Sequence, residues 1–187
     1  MSRNRELVPE GVYHITCRGN NRRAIFNDDE DYRRFLNVVA ETRIKHGFEL
    51  FHYVLMPNHF HLNPKVADFQ KLPKIMQSIC HRYSLFHKRK YGRTGTLWEG
   101  PYYSNLIKDD EHQLMCGPYI ELNPVRAKLV EEPEKWIWSS YRTYSGLETD
   151  QPVDIDPFYF PGSNQRYERE EYIKTVAAWS KIKSSLA

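Results

Sequence analysis

His59, Phe60 and His61 stand inside an apolar run, HYVLMPNHFHLN, that otherwise has the composition of a buried strand. Residues two apart on a strand share a face, so both imidazoles project to one side and Phe60 to the other. Two neutral imidazoles so placed can grip one divalent cation and leave coordination positions empty, as a metal needs if it is to polarise a phosphoryl oxygen. Two histidines hydrogen-bonded at a sheet surface would have the same spacing, so the pair alone leaves both readings open. His14, His52, His81 and His87 have no comparable pairing and read as structural or solvent-facing.

A second constellation is PYIELNPVRA, Pro118 to Ala127. Tyr119 and Asn123 are four apart, on one face of a helical turn. The Asn123 amide oxygen would be a suitable hard ligand beside two imidazoles, and a tyrosine next to that metal could attack a phosphodiester. Asn123 before Pro124 equally fits a helix N-cap followed by proline at the first position, and Tyr119 alone fits a core aromatic.

Charge points the same way without deciding. The 187 residues carry a formal charge of only +3, yet the cations cluster. Arg18, Arg22 and Arg23 fall in RGNNRR; Arg82, Lys88, Arg89, Lys90 and Arg93 fall in HRYSLFHKRKYGR among Tyr83, Phe86 and Tyr91. Basic groups interleaved with aromatics suit a surface that neutralises phosphates and stacks bases, and Trp98 adds a further ring. A solvated helix face over a core produces the same pattern. Three cysteines, Cys17, Cys80 and Cys116, lack CxxC spacing, which argues for a reducing compartment and against a structural zinc site. No apolar leader opens MSRNRELVPEG, and no segment has the roughly 20 apolar residues of a spanning helix, so a soluble cytoplasmic protein without membrane contact is expected.

The elements that must position these groups follow from periodicity. Gly11 to Gly19 reads as a strand. NDDEDYRRFLNVVAETRIKHG opens on cap residues, spaces Phe35, Val38, Val39 and Thr42 for a helix and stops at Gly47. FELFHYVLM and HFHLNPKV read as two antiparallel strands joined at Pro57-Asn58, and a second helix runs from about Asp68, or from Leu72-Pro73, to Tyr91. LWEGPYYSNLI suggests a fourth strand or an extended loop. Gly117-Pro118 and Pro124 predict two short helices, one ending near Cys116 and one carrying Pro118 in its first turn. Proline damage falls on the preceding turn, around the Leu114 carbonyl, so the Tyr119 to Asn123 spacing should survive. An aromatic helical turn over EPEKWIWSSYRTYSGL, an irregular stretch from Glu148 to Asn164 and a last helix from Arg166 to Ser185 complete the chain. The order predicts an α+β fold, ferredoxin-like or RRM-like, with an antiparallel sheet, helices on one face and a C-terminal helical extension. Residues 1–147 form the expected catalytic domain and 148–187 the extension.

YHITCRGNNRRAIF, YVLMPNHFHL, GTLWEGPYYSNLI, YIELNPVRAKLV and WSSYRTYSG, in this order, resemble the His-hydrophobe-His transposases with a single tyrosine, in the branch of REP-associated tyrosine transposases. The resemblance covers about Val12 to Gly146. It implies a nuclease domain that binds single-stranded DNA bearing a hairpin, such as a REP-like palindrome, and nicks beside it through a covalent 5′-phosphotyrosine. It implies Tyr119 as nucleophile, His59 and His61 as metal ligands with Asn123 as the third, and magnesium or manganese as the metal. It also implies a monomer or homodimer working at the nucleoid.

The pattern departs from the family at Asn63, Pro101 and Pro118, where an apolar residue, an arginine and, often, a basic residue are usual. Lost cations would weaken DNA contacts, so a catalytically degenerate or domesticated hairpin-binding protein is the second expectation. A water-using metallohydrolase is a third, with no further histidine or carboxylate at a spacing that completes its site.

Overall fold

The structure, a computed structural model, describes residues 10–148, 151–161 and 165–184, with side chains described in the last segment for 168–180. The opening MSRNRELVP, parts of the irregular stretch (149–150 and 162–164) and Ser185 lie outside the described residues.

Four strands, β1 (Gly11–Arg18), β2 (Glu49–Met56), β3 (His59–Val66) and β4 (Tyr103–Leu106), form one antiparallel sheet in the order β2-β3-β1-β4. This is the expected ferredoxin-like arrangement, with β1 and β3 central. Helix α1 (Asp29–His46) starts where the Asp28 carboxylate accepts from the Asp31 amide (3.1 Å) and ends on Gly47 in the left-handed conformation. Helix α2 (Leu72–Tyr91) has proline in its first turn, after a 3-10 turn at Phe69–Lys71. Both pack on one face of the sheet, where Phe35, Val38 and Val39 of α1 meet Ile15, Tyr53, Phe60 and Leu62 in the main core.

The opposite face carries α3 (Asp110–Glu121). Cys116 and Ile120 of this helix close on Val54 and Met56 of β2 in a smaller apolar cluster. A bulge between Leu50 and His52 switches the alternation of β2, so that Leu50, Tyr53 and Leu55 join the main core while His52, Val54 and Met56 face α3. Tyr144 Oη donates to the carbonyl of Phe51 at that bulge (3.0 Å).

One local expectation is corrected. The helix does not break at Gly117-Pro118: α3 runs through both, and a four-residue helix α4 (Asn123–Arg126) follows. Pro118 has no amide for the Leu114 carbonyl, but the Tyr159 hydroxyl lies 2.8 Å from that oxygen and 2.8 Å from that of Gln113, so the turn is not left unsatisfied. Asn63 also has a structural reason. Tyr13 falls opposite Pro64, which has no amide hydrogen to give, and Asn63 Nδ2 donates to the Tyr13 carbonyl instead (3.0 Å).

Trp136 to Ser140 run along the free edge of β2, with Leu55 N donating to Trp138 O (2.9 Å) and Ser140 N to Tyr53 O (3.0 Å). Helix α5 (Tyr141–Tyr144) follows, and Tyr144 packs with Tyr172 and Val176 of α6 (Gln165–Ser184). Cys17, Cys80 and Cys116 are free thiols. Among the described residues, no helix is long and apolar enough to cross a membrane.

Candidate active site

Because β3 turns back from β2 at Pro57-Asn58, His59 sits opposite both Met56 and Arg18, and His61 opposite Val54 and Thr16. His59 and His61 share the face that α3 partly covers, and Phe60 enters the main core against Phe35 (4.7 Å). The two imidazoles meet edge to face at 5.1 Å between centroids. Each has a partner on Nδ1. Asn58 Oδ1 lies 2.6 Å from His59 Nδ1, and an amide oxygen can only accept, so His59 carries its proton there. His61 Nδ1 lies 3.1 Å from Thr16 Oγ1 and 2.8 Å from His14 Nε2. With the His61 proton also on Nδ1, both Nε2 lone pairs stay available on the same face.

Electrostatics keep the imidazoles neutral. Burial first, and then the positive Arg18, lower the His59 pKa to about 4. Burial and the neighbouring His14, His59, Arg126 and Arg18 hold His61 well below its ordinary value. His14 is lowered to about 4 by burial and then by His112. Neutral imidazoles oriented through Nδ1 are what a divalent cation requires.

Tyr119 arrives from α3. Tyr119 is 37% exposed, and its ring lies edge-on to His14 (5.6 Å) and His61 (6.2 Å). The Arg126 guanidinium covers the phenol ring at 4.3 Å and donates to the Tyr119 carbonyl. Asn123 Nδ2 donates to the carbonyls of Tyr119 and Ile120, both at 3.0 Å, so the side chain closes the end of α3 and a ligand role would fall to Oδ1. Tyr119 and Asn123 therefore belong to successive helices, joined through Leu122.

Two neutral imidazoles on one face are nitrogen donors of the kind a divalent cation takes. Among the described residues, no three His, Cys, Asp or Glu side chains form a set that could hold one. His14 does not complete one, since its Nε2 is engaged with His61. Its reading as an unpaired structural histidine is nevertheless corrected: the β1–β3 pairing brings it beside His61 and Tyr119. Alternation along YHIT places His14 and Thr16 on one face, but only strand order reveals which face. Arg126 was also missed, and its place seven residues, about two helical turns, beyond Tyr119 was the available signal.

A family profile described as "Transposase IS200 like" matches residues 8–123, more than half of the chain. The chain belongs to the IS200-like transposases. Similarity extends to a Haemophilus influenzae protein whose name marks it as a candidate REP-associated tyrosine transposase, 24% identical over 153 residues, or 73% of this chain and 83% of that one. A solved REP-associated tyrosine transposase bound to a REP hairpin shares the fold, with a TM-score of 0.68 and 15% identity over 83% of this chain and 92% of that one.

The basic residues of this transposase divide. Arg18 is exposed at the end of β1 beside His59, and Arg22 is exposed in the turn that follows. Arg23 donates to the Thr96 carbonyl. The cations of α2 lie across the sheet from the histidines. Lys88, Arg89 and Arg93 are exposed there, whereas Arg82 pairs with Glu41 and Lys90 joins Asp28 (2.7 Å), Glu30 (2.8 Å) and Asp31 (2.9 Å) at the start of α1. Trp98 is half-buried against Phe60 (5.7 Å) and donates to the Cys80 carbonyl (3.0 Å). Pro101 is exposed, while Pro118 is buried and contributes packing.

Proposed function

We propose that this transposase nicks and rejoins single-stranded DNA beside a hairpin, a REP-like palindrome, with Tyr119 as nucleophile. The observation that supports it most is the exposed phenol of Tyr119 standing over the face that His59 and His61 share. The phenol oxygen attacks the scissile phosphorus; the tyrosyl O–P bond forms, the bond from phosphorus to the 3′ oxygen breaks, and the phenol proton is given up as the 3′-hydroxyl leaves protonated. DNA remains attached through its 5′-phosphate. The product is still a phosphodiester, so a second 3′-hydroxyl can reverse the step without a nucleotide cofactor.

Magnesium or manganese, held by Nε2 of His59 and His61 with Oδ1 of Asn123, would act as a Lewis acid on the phosphate. The chain's own residues prepare that place: Asn58, Thr16 and His14 fix the imidazoles, while Arg18 and Arg126 bring positive charge beside the strand. Arg22, Arg23, Lys88, Arg89 and Arg93 extend the surface available to phosphates. Residues 1–147 form the catalytic unit and 148–187 its extension. The protein works as a monomer or a homodimer. The protein works in the cytoplasm, at the nucleoid.

In a single-turnover reaction with hairpin-bearing single-stranded DNA and manganese, the protein is expected to form a covalent adduct that Tyr119→Phe cannot form while still binding the hairpin. An adduct that persists in Tyr119→Phe overturns the assignment. Salt-dependent hairpin binding unchanged by His59→Ala, with no adduct on any substrate, identifies a binding module instead.

A further inference from the structure

The helix that carries Tyr119 is opened by its own sequence and closed by a distant one. Pro118, immediately before Tyr119, cannot supply the amide that Leu114 O would accept in an uninterrupted helix. Tyr159 fills that vacancy. Its single hydroxyl proton is shared between the carbonyls of Leu114 and Gln113, each 2.8 Å away. The same segment makes a second attachment, because Gln113 Nε2 donates to the carboxylate of Asp156. Asp156 is in turn fixed by its amide donating to Tyr144 Oη (3.0 Å) and by the Phe158 amide donating to Oδ1 (2.9 Å). At Gly117 the helix approaches β2 so closely that an added Cβ would lie 2.8 Å from the His52 ring and 3.0 Å from Tyr159 Oη. Two residues beyond Tyr119, Glu121 is fully buried, accepts from Ser140 Oγ (2.6 Å) and Tyr172 Oη (2.8 Å), and meets His52 Nδ1 at 3.0 Å.

These contacts bracket Tyr119 on both sides along α3 and leave its phenol outside them. We infer that residues 156–159 form a strap that positions the nucleophile, with Tyr159 acting as the missing amide of Pro118, so that C-terminal residues set the aim of Tyr119 toward the histidine face without touching DNA. The inference rests on Tyr119 being the nucleophile. Tyr159 is a positioning residue. Without the strap the helix would keep its apolar contacts at Cys116 and Ile120 and the bonds of Glu121, while the turn leading into Tyr119 wavered.

The test exploits the chemistry of the vacancy. Tyr159→Phe removes the hydroxyl, and Pro118→Ala restores an amide able to bond Leu114 O. Tyr159→Phe is expected to slow single-turnover adduct formation about tenfold or more, as a misplaced reacting group does, with hairpin affinity unchanged. Hydrogen exchange of the α3 amides should accelerate in the same variant. Combining it with Pro118→Ala should restore both the rate and the exchange protection. Pro118→Ala alone should behave as the unsubstituted protein. Unchanged adduct rate and exchange in Tyr159→Phe, or a double variant no better than the single one, overturns the strap. If the adduct survives in Tyr119→Phe or never forms, the nucleophile assignment fails, and exchange with its rescue by Pro118→Ala still decides whether Tyr159 replaces the missing amide. If Tyr159→Phe does not fold, recovery of the fold in the double variant supports the strap, and failure there overturns it.

Discussion

His14 Nε2 lies 2.8 Å from Nδ1 of His61, and this contact ties the first strand to the second histidine of the pair. Sequence separates the two by 47 residues. If His61 holds the proposed cation through Nε2, its proton belongs on Nδ1, where His14 and Thr16 accept it. An outer partner of this kind fixes ring orientation and tautomer.

His14→Phe should therefore weaken manganese binding by about 10- to 100-fold, in line with the loss of other outer partners of metal-ligating histidines. His14→Gln, which keeps an acceptor, should lose much less. Calorimetric titration of the metal into the DNA-free protein checks both. Equal affinity in His14→Phe and the unsubstituted protein would show that His61 needs no help from β1.

His52 makes a pH prediction away from that centre. Burial opposes its protonation, but the carboxylates of Asp156 and Glu121 outweigh burial and raise its pKa above the ordinary value of 6.5. A group whose pKa rises on folding binds its proton more tightly in the native state. Its contribution to stability is complete below 6.5 and is lost as pH rises through the raised value. Urea unfolding followed upward from pH 6.5 should show that loss, and His52→Asn should have a flatter profile over the same range. A profile unaltered by the substitution means that the buried pair does not depend on the imidazolium.

Lys90 and Arg22 should behave differently although both are cations of the expected DNA surface. Lys90→Ala removes a group held by three carboxylates at the start of α1 and should lower the unfolding temperature while the salt dependence of hairpin binding stays the same. Arg22→Ala, at an exposed residue, should leave stability alone and reduce the slope of log affinity against log salt by about one. Reversal of the two effects would make Lys90 a phosphate contact and Arg22 a structural residue.

Strand alternation, helix periodicity and the glycine at the end of α1 were legible because they depend on neighbours along the chain. So was the ββ hairpin bearing His59 and His61, whereas Tyr119 and Asn123, expected on a single helical turn, fall in successive helices. The continuous course of α3 was not, because a proline's local effect is predictable and a hydroxyl arriving from residue 159 is not. The basic run of α2 was visible as charge, yet Lys90 is occupied by acids from a helix 60 residues earlier, as its contact to Asp28 is 62 residues long.

The sequence by itself determined which groups could act, two imidazoles on one strand face and a phenol on a helix, since side-chain chemistry and backbone period are local properties. Tertiary structure alone decided that His14 joins them, that Asn63 replaces the donor Pro64 lacks, and that Tyr159 completes the helix of Tyr119. Each of those is a hydrogen bond between residues whose proximity follows from strand order and packing, which no interval along the chain encodes.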